Sequence, residues 1–286
     1  MEKHFMITIS NDISCLHGVR FVTSFFENRS DVRLTLIYVG APCSSGGPGA
    51  AWLSPAEDSD IEPISRKEAE NAMATSKRLL CDKGFHAEHV MAKIIRRQFG
   101  TVNDIIREGR EGRYDAVVLG ARGYSLFQAL YDESVSRNIL EHDIPFPIWI
   151  ARRPEEGRRN VLLCVDGSEA SLRMADHVGC MLAGEEHKVT IFIVDTGEDL
   201  DVEEALVGAR QTLLDGGLLE KQIGTKVVRA KRVVKIILDE AEKGRYAAVA
   251  VGRVGVHKAG LKGWLVGSRS MALLEQIEKA ALWVSR

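Results

Sequence analysis

The chain has 286 residues, 45% hydrophobic, 6% aromatic and 27% charged, with 26 Gly and 7 Pro. This is globular composition, and at about 150 residues per domain it suggests two domains, which excludes a disordered or fibrous chain. Lys plus Arg number 38 against 40 Asp plus Glu, so the net charge of -2 provides no general attraction to nucleic acid or an anionic membrane.

The opening MEKHFMITIS is a charged patch followed by a strand-like run, without the apolar stretch of a signal peptide. No apolar run approaches the ~18 residues of a membrane span. Five cysteines without a CxxC pair fit reduced thiols, so the expected location is the cytoplasm. Leu34–Val39 is a strand. The Gly, Pro and Ser-rich segment that follows it, within about 40–62 and carrying Trp52, is an inserted loop. Ser65 and Glu68 form a capping box at the start of the second helix. His86 and His89 fall in a short strand or turn, where residues three apart on a strand face opposite sides, and are ordinary surface histidines rather than metal ligands.

Residues 102–123 match residues 234–255 without a gap, sharing the core GRYxAV and the GxxG after it. The strand Leu34–Val39 also falls over Val189–Val194, so the halves are related copies. We place them at residues 1–153 and 158–286, joined by the polar stretch Arg152–Arg159. In the second half the pattern predicts a strand at 160–165 and a helix capped by Ser168 with Leu172, Ala175, Gly179 and Leu182 on one face. A strand at 189–194, a helix at 202–214, a strand at 226–229 and a helix at 233–242 with Val233, Val234, Ile237 and Ala241 inward come next. A strand at 247–251, a helix at 268–279 and a strand at 281–285 complete it. Runs such as Ala116–Leu119 are apolar throughout, as parallel strands covered on both faces require. The expected fold class is α/β, with two tandem doubly wound parallel-sheet domains. The last strand of each half, around Trp149 and Trp283, could pair edge to edge within the chain or between chains.

Ligands of such sheets bind beyond the carboxyl ends of the strands where strand order reverses. In the second half that directs attention to Asp166, Val194, Gly252 with Gly255, and Gly267 with Ser268. Glycines admit an anion to the backbone, and a helix start adds free N–H groups and a positive dipole end, so the favoured ligand carries phosphate. With 26 glycines, roughly two GxxG pairs arise by chance, so the position of the motif after a strand in both halves carries the weight.

In these residues the sequence resembles the universal stress proteins in their tandem-domain form. The resemblance covers nearly the whole chain and rests on Asp166, Gly252, Gly255, Gly267 and Ser268. It implies a Rossmann-like, adenine nucleotide alpha-hydrolase-like fold and ATP, with or without Mg, as ligand. Asp166 and Val194 would then lie near the adenosine, with the glycine loop and Ser268 around the phosphates. Two features depart from the family pattern. Eleven residues separate Gly255 from Gly267 where the family has nine; Gly260 and Gly263 could absorb the longer loop, and Lys258 or Lys262 could reach a phosphate. The first half keeps Gly120 and Gly123 with the nine-residue spacing, but has Glu133-Ser134 in place of Gly-Ser and Ser10 in place of Asp166. A carboxylate there repels a triphosphate, so the first half is expected to bind ATP weakly or not at all.

The chain is therefore expected to be a cytoplasmic stress-response regulator or sensor. Any ATPase activity would be slow, because no general base or Mg-binding carboxylate stands by the glycine loop. Its partners would be an adenine nucleotide and a protein, without nucleic acid or membrane, with the halves paired inside the chain and a homodimer open. The alternative is a nucleotide-free tandem scaffold acting through protein contacts. An adenylyl-transferring enzyme is disfavoured, because no HxGH occurs. Cys164, inside a strand, reads as a small buried hydrophobe.

Overall fold

The computed structural model describes residues 2–12, 16–43, 61–121, 135–142, 144–197, 200–253 and 268–285. The first half runs β1 (Lys3–Ile9), α1 (Leu16–Phe25), β2 (Val32–Gly40), α2 (Pro63–Asp82), β3 (Val90–Arg96), α3 (Thr101–Glu111), β4 (Ala116–Gly120), α4 (Val135–Glu141) and β5 (Ile148–Ala151). The second runs β6 (Arg159–Cys164), α5 (Glu169–Leu182), β7 (Val189–Asp195), α6 (Val202–Asp215), β8 (Ile223–Arg229), α7 (Val233–Lys243), β9 (Tyr246–Gly252), α8 (Ser268–Gln276) and β10 (Ala281–Ser285).

The ten strands form one sheet in the order β3-β2-β1-β4-β5-β10-β9-β6-β7-β8. All neighbours are parallel except β5 and β10, which pair antiparallel at the centre. The last-strand pairing is therefore made within the chain, and the two halves share one sheet related by a pseudo-twofold. Alternate strand residues supply the two sides: Phe5 and Ile7 pack with α1, α2, α5 and α6, while Met6, Val117 and Leu162 pack with α3, α4, α7 and α8. The result is a three-layer α/β/α sandwich.

The GRYxAV core is explained by fold chemistry. Gly112 and Gly244 end α3 and α7, and the next residues, Arg113 and Arg245, take the left-handed conformation (φ 51° and 49°). The following tyrosine ring folds back so closely that a Cβ on Gly112 or Gly244 would lie 2.1 or 2.2 Å from it. Both halves thus use the same tight turn from helix to strand.

At the pseudo-twofold, Trp149 and Trp283 face each other in register and stack with ring centres 3.9 Å apart and planes 3° apart. Trp149 Nε1 donates to His177 Nε2 at 3.0 Å. His177 lies 5.8 and 6.1 Å from the two indoles, and Phe21 of α1 occupies the matching place at 6.0 and 6.3 Å. Phenylalanine offers no acceptor, and among the described residues the buried Trp283 Nε1 has no hydrogen-bond partner. The repeat is therefore symmetric in shape and asymmetric in polarity at its centre. Further pins cross between the halves. Lys3 and Glu185 form a buried ion pair at 3.3 Å, with Glu185 also accepting from Glu27 N–H. His187 Nε2 donates to the Phe25 carbonyl and its ring stacks on Phe25.

Some local expectations are corrected. No capping box opens α2: the helix begins at Pro63, whose fixed φ suits a first turn, and Ser65 is a buried residue inside that turn whose hydroxyl accepts from Ala41 N–H. The last long helix stops at Gln276, and Lys279 takes a left-handed φ of 63° before β10. The stretch between the halves is anchored: Arg158 is buried, and donates to Glu155, to Glu242 and to the Ala241 carbonyl at the end of α7. The inserted segment leaves and re-enters through a bridge between Pro42 and Ile61, and Trp52 lies outside the described residues.

Candidate functional site

In the second half strand order runs β10-β9-β6-β7-β8, so β6 connects in sequence to β7 on one side while β9 lies on its other side. The carboxyl ends of β6 and β9 diverge at this switch point, and a cleft opens there with an empty volume of about 540 Å³ including its mouth. Its floor is Cys164, Val165 and Asp166 from β6 and the turn after it, with Val251 and Gly252 from β9. One wall is Phe192 and Val194 of β7, and the cover is Val233 and Ile237 of α7 with Ser270 and Leu273 of α8. Ser171 of α5 completes the lining. The slot is mostly apolar with a few polar groups, the buried Ser171 and Ser270 and the exposed Asp166 at its mouth, as small-molecule sites generally are.

Asp166 stands exposed at that mouth. Its Oδ1 accepts from Ser168 N–H at 3.1 Å and from the Ser168 hydroxyl at 2.6 Å, while Ser168 Oγ accepts from Ser171 N–H at 3.2 Å and caps α5. Ser168 thus fixes both the carboxylate and the helix start. The first half builds the same turn with a neutral group, Ser10 Oγ accepting from Asp12 N–H at 3.2 Å. The sequence match of Ser10 to Asp166 therefore holds in space.

Gly252 lines the cleft, and the structure gives it a further reason to be glycine. A Cβ there would lie 2.4 Å from the Ala170 carbonyl carbon and from Ser171 N, so the first turn of α5 rests on the end of β9. Gly255 and Gly267 lie outside the described residues, as do Gly123, Lys258, Gly260, Lys262, Gly263, Glu133 and Ser134. Ser268 is the first residue of α8.

Of the twelve lining residues the sequence singled out only Asp166, Val194 and Gly252 as site residues. Val233 and Ile237 do pack against the core, Ile237 buried and Val233 half-buried, and the same turn of α7 also turns them onto the cleft. Phe192 lies two residues before Val194 on the same strand face, and Ser270 and Leu273 are one helical turn apart; these spacings are the signals that could have found them. Cys164 is enclosed at the floor, where burial, with the Asp166 charge adding to it, pushes its thiol well above the usual range and keeps it neutral. His86 precedes and His89 ends a short 3-10 turn, Ala87–His89, with ring centres 5.7 Å apart. Among the described residues no group of three or more His, Cys, Asp or Glu could hold a metal ion, and no helix is long and apolar enough to cross a membrane.

Sheet order, duplicated topology and a cleft at the switch point define a tandem, Rossmann-like α/β protein. The sequence pattern of the Universal stress protein family matches residues 1–152 and again 157–285, and the chain belongs to that family, with two copies in tandem. A universal stress protein from Archaeoglobus fulgidus has the same fold at 16% identity, with a TM-score of 0.71, covering 99% of this chain and 98% of that one. A functionally unknown protein from Pseudomonas aeruginosa aligns over 99% of this chain and 92% of its own at 15% identity, with a TM-score of 0.56. A search of curated proteins returns no match.

Proposed function

We propose that the chain is a stress-response regulator that binds ATP, with or without Mg, in its second domain, residues 158–286, and that the first domain, residues 1–153, is its degenerate partner. The observation that carries this is the cleft at the β6/β9 switch point, a mostly apolar slot with the Asp166 carboxylate at its mouth. A purine would sit against Phe192, Val194, Val233 and Ile237, and a ribose hydroxyl would donate to Asp166. Gly255, Gly267 and Ser268 would then meet the phosphates, where backbone N–H groups and the start of α8 favour an anion. The protein acts by holding nucleotide rather than by turning it over quickly, in the cytoplasm, with a protein partner to receive the signal.

The test is the nucleotide content of freshly purified protein, denatured and resolved by chromatography, beside Gly267→Glu, which copies Glu133 of the first half. About one ATP per chain from the parent and none from the variant supports the reading. No release from the parent, with no heat on titrating ATP, overturns it in favour of a nucleotide-free scaffold.

A further inference from the structure

Arg253 is the first of the two residues between Gly252 and Gly255, and the sequence assigns it no role. It directly follows Gly252 and the end of β9, and only 4% of it is exposed. Its guanidinium reaches the first half: Nη2 donates to the His142 carbonyl at 2.7 Å, 111 residues away, just past the end of α4. That carbonyl lies at the negative end of α4, where a cation is favoured, and His142 is itself tied back to the Asn138 carbonyl at 2.8 Å. On the main chain, Arg253 N–H donates to the Ser285 carbonyl at 2.7 Å. The first-half counterpart keeps only this last feature. Ala121 N–H bonds the Ala151 carbonyl at 2.9 Å, and its methyl group cannot cross to the other half.

The end of β9 is thus held from two sides. The first turn of α5 lies against Gly252 within the second half, and Arg253 fastens the next residue to the first half. From this geometry we infer that Arg253 is a positioning residue, which holds the Gly252 side of the second-half cleft in place through the end of α4 and makes ligand binding there depend on the first half. This rests on the ATP reading only for the identity of the ligand; the tether itself is independent of it. It also gives the first half a task after the loss of its own Gly-Ser pair, because α4 is the helix that follows Glu133-Ser134 in sequence. Coupling is reciprocal, so nucleotide bound in the second half must in turn steady the end of α4.

The experiment compares the full chain with Arg253→Ala, Arg253→Lys and Phe21→Leu, the last weakening the interface between the halves on the opposite face of the sheet. Two quantities are measured: ATP affinity by calorimetry, and amide hydrogen exchange with and without ATP. In nucleotide-free Arg253→Ala, exchange rises at Arg253 and at 138–142 together, whereas Phe21→Leu lowers stability without singling out these two segments. ATP binding weakens by about two- to thirtyfold in Arg253→Ala, is partly restored by Arg253→Lys, whose ammonium can still reach the carbonyl, and stays within about twofold of the parent in Phe21→Leu. In the parent, ATP slows exchange at 138–142, and in Arg253→Ala it does not. Unchanged exchange at 138–142 in nucleotide-free Arg253→Ala overturns the inference, and so does unaltered ATP affinity in that variant. A parent that binds no ATP overturns the ligand reading alone, and the exchange comparison then decides the tether by itself.

Discussion

Replacing His177 by phenylalanine would copy Phe21 and make the centre of the molecule apolar on both sides. At neutral or higher pH the change removes the acceptor for Trp149 Nε1 and leaves a second buried indole N–H unpaired beside that of Trp283. The cost is about 1–3 kcal/mol, the usual penalty of an orphaned buried donor. The pH dependence has the opposite sign. Burial lowers His177 from its ordinary 6.5 to about 3, so between those values the unfolded chain takes up a proton that the folded chain refuses. This contribution is fully present above pH 6.5 and is lost at about 1.4 kcal/mol per pH unit as pH falls towards 3. The variant has no such proton to bind. The penalty of the substitution should therefore vanish about 0.7–2.2 pH units below 6.5, and the variant should be the more stable of the two at lower pH. His4 and His187, also lowered chiefly by burial, steepen the acid loss in both proteins and cancel in the difference. Urea unfolding followed by near-ultraviolet circular dichroism across this pH range measures that difference, with an unchanged m-value as the check on two-state behaviour. A stability difference that stays constant from neutral pH to about pH 5 would refute the buried, neutral His177 and its role as acceptor.

Asp166→Ser, which copies Ser10, should keep the α5 turn intact and weaken ATP binding about tenfold or more in calorimetry, because the ribose loses a charged acceptor. Gly252→Ala drives a methyl group to 2.4 Å from the backbone of α5; a loss of about 1–3 kcal/mol is expected in thermal unfolding, with or without nucleotide. Lys3→Ala leaves the Glu185 carboxylate buried without its cation, and equilibrium unfolding should show a loss of about 3–5 kcal/mol; the surface pair Arg173–Glu169 removed in the same way should change stability by no more than about 0.5 kcal/mol.

The repeated GRYxAV segment was legible because its reason is local. A helix end, a left-handed residue and a tyrosine folded onto a glycine all fall within a few residues, and each half repeats them. Strands such as Ala116–Gly120 and helices such as Val202–Asp215 were legible from periodicity, since burial on two faces or on one stripe leaves a pattern in the sequence. The α2 start was misread because Ser65 and Glu68 fit a capping box, whereas Pro63 already satisfies the first-turn geometry and Ser65 is committed to Ala41. The part of the cleft lining supplied by Phe192, Val233, Ile237, Ser270 and Leu273 was hidden for another reason. Those side chains meet only because β6 has β9 on one side and β7 on the other, and strand order is a long-range property.

The sequence by itself determined the duplication, the α/β alternation, and Asp166, Val194 and Gly252 as residues at the carboxyl ends of strands. Tertiary structure decided that the two last strands join inside one chain, that Trp149 has an acceptor while Trp283 has none among the described residues, and that Arg253 crosses to the other half. The division follows from physics: periodicity and turn chemistry are written within a few residues, whereas a partner 111 residues away is selected only when the packed sheet brings the end of β9 and the end of α4 together.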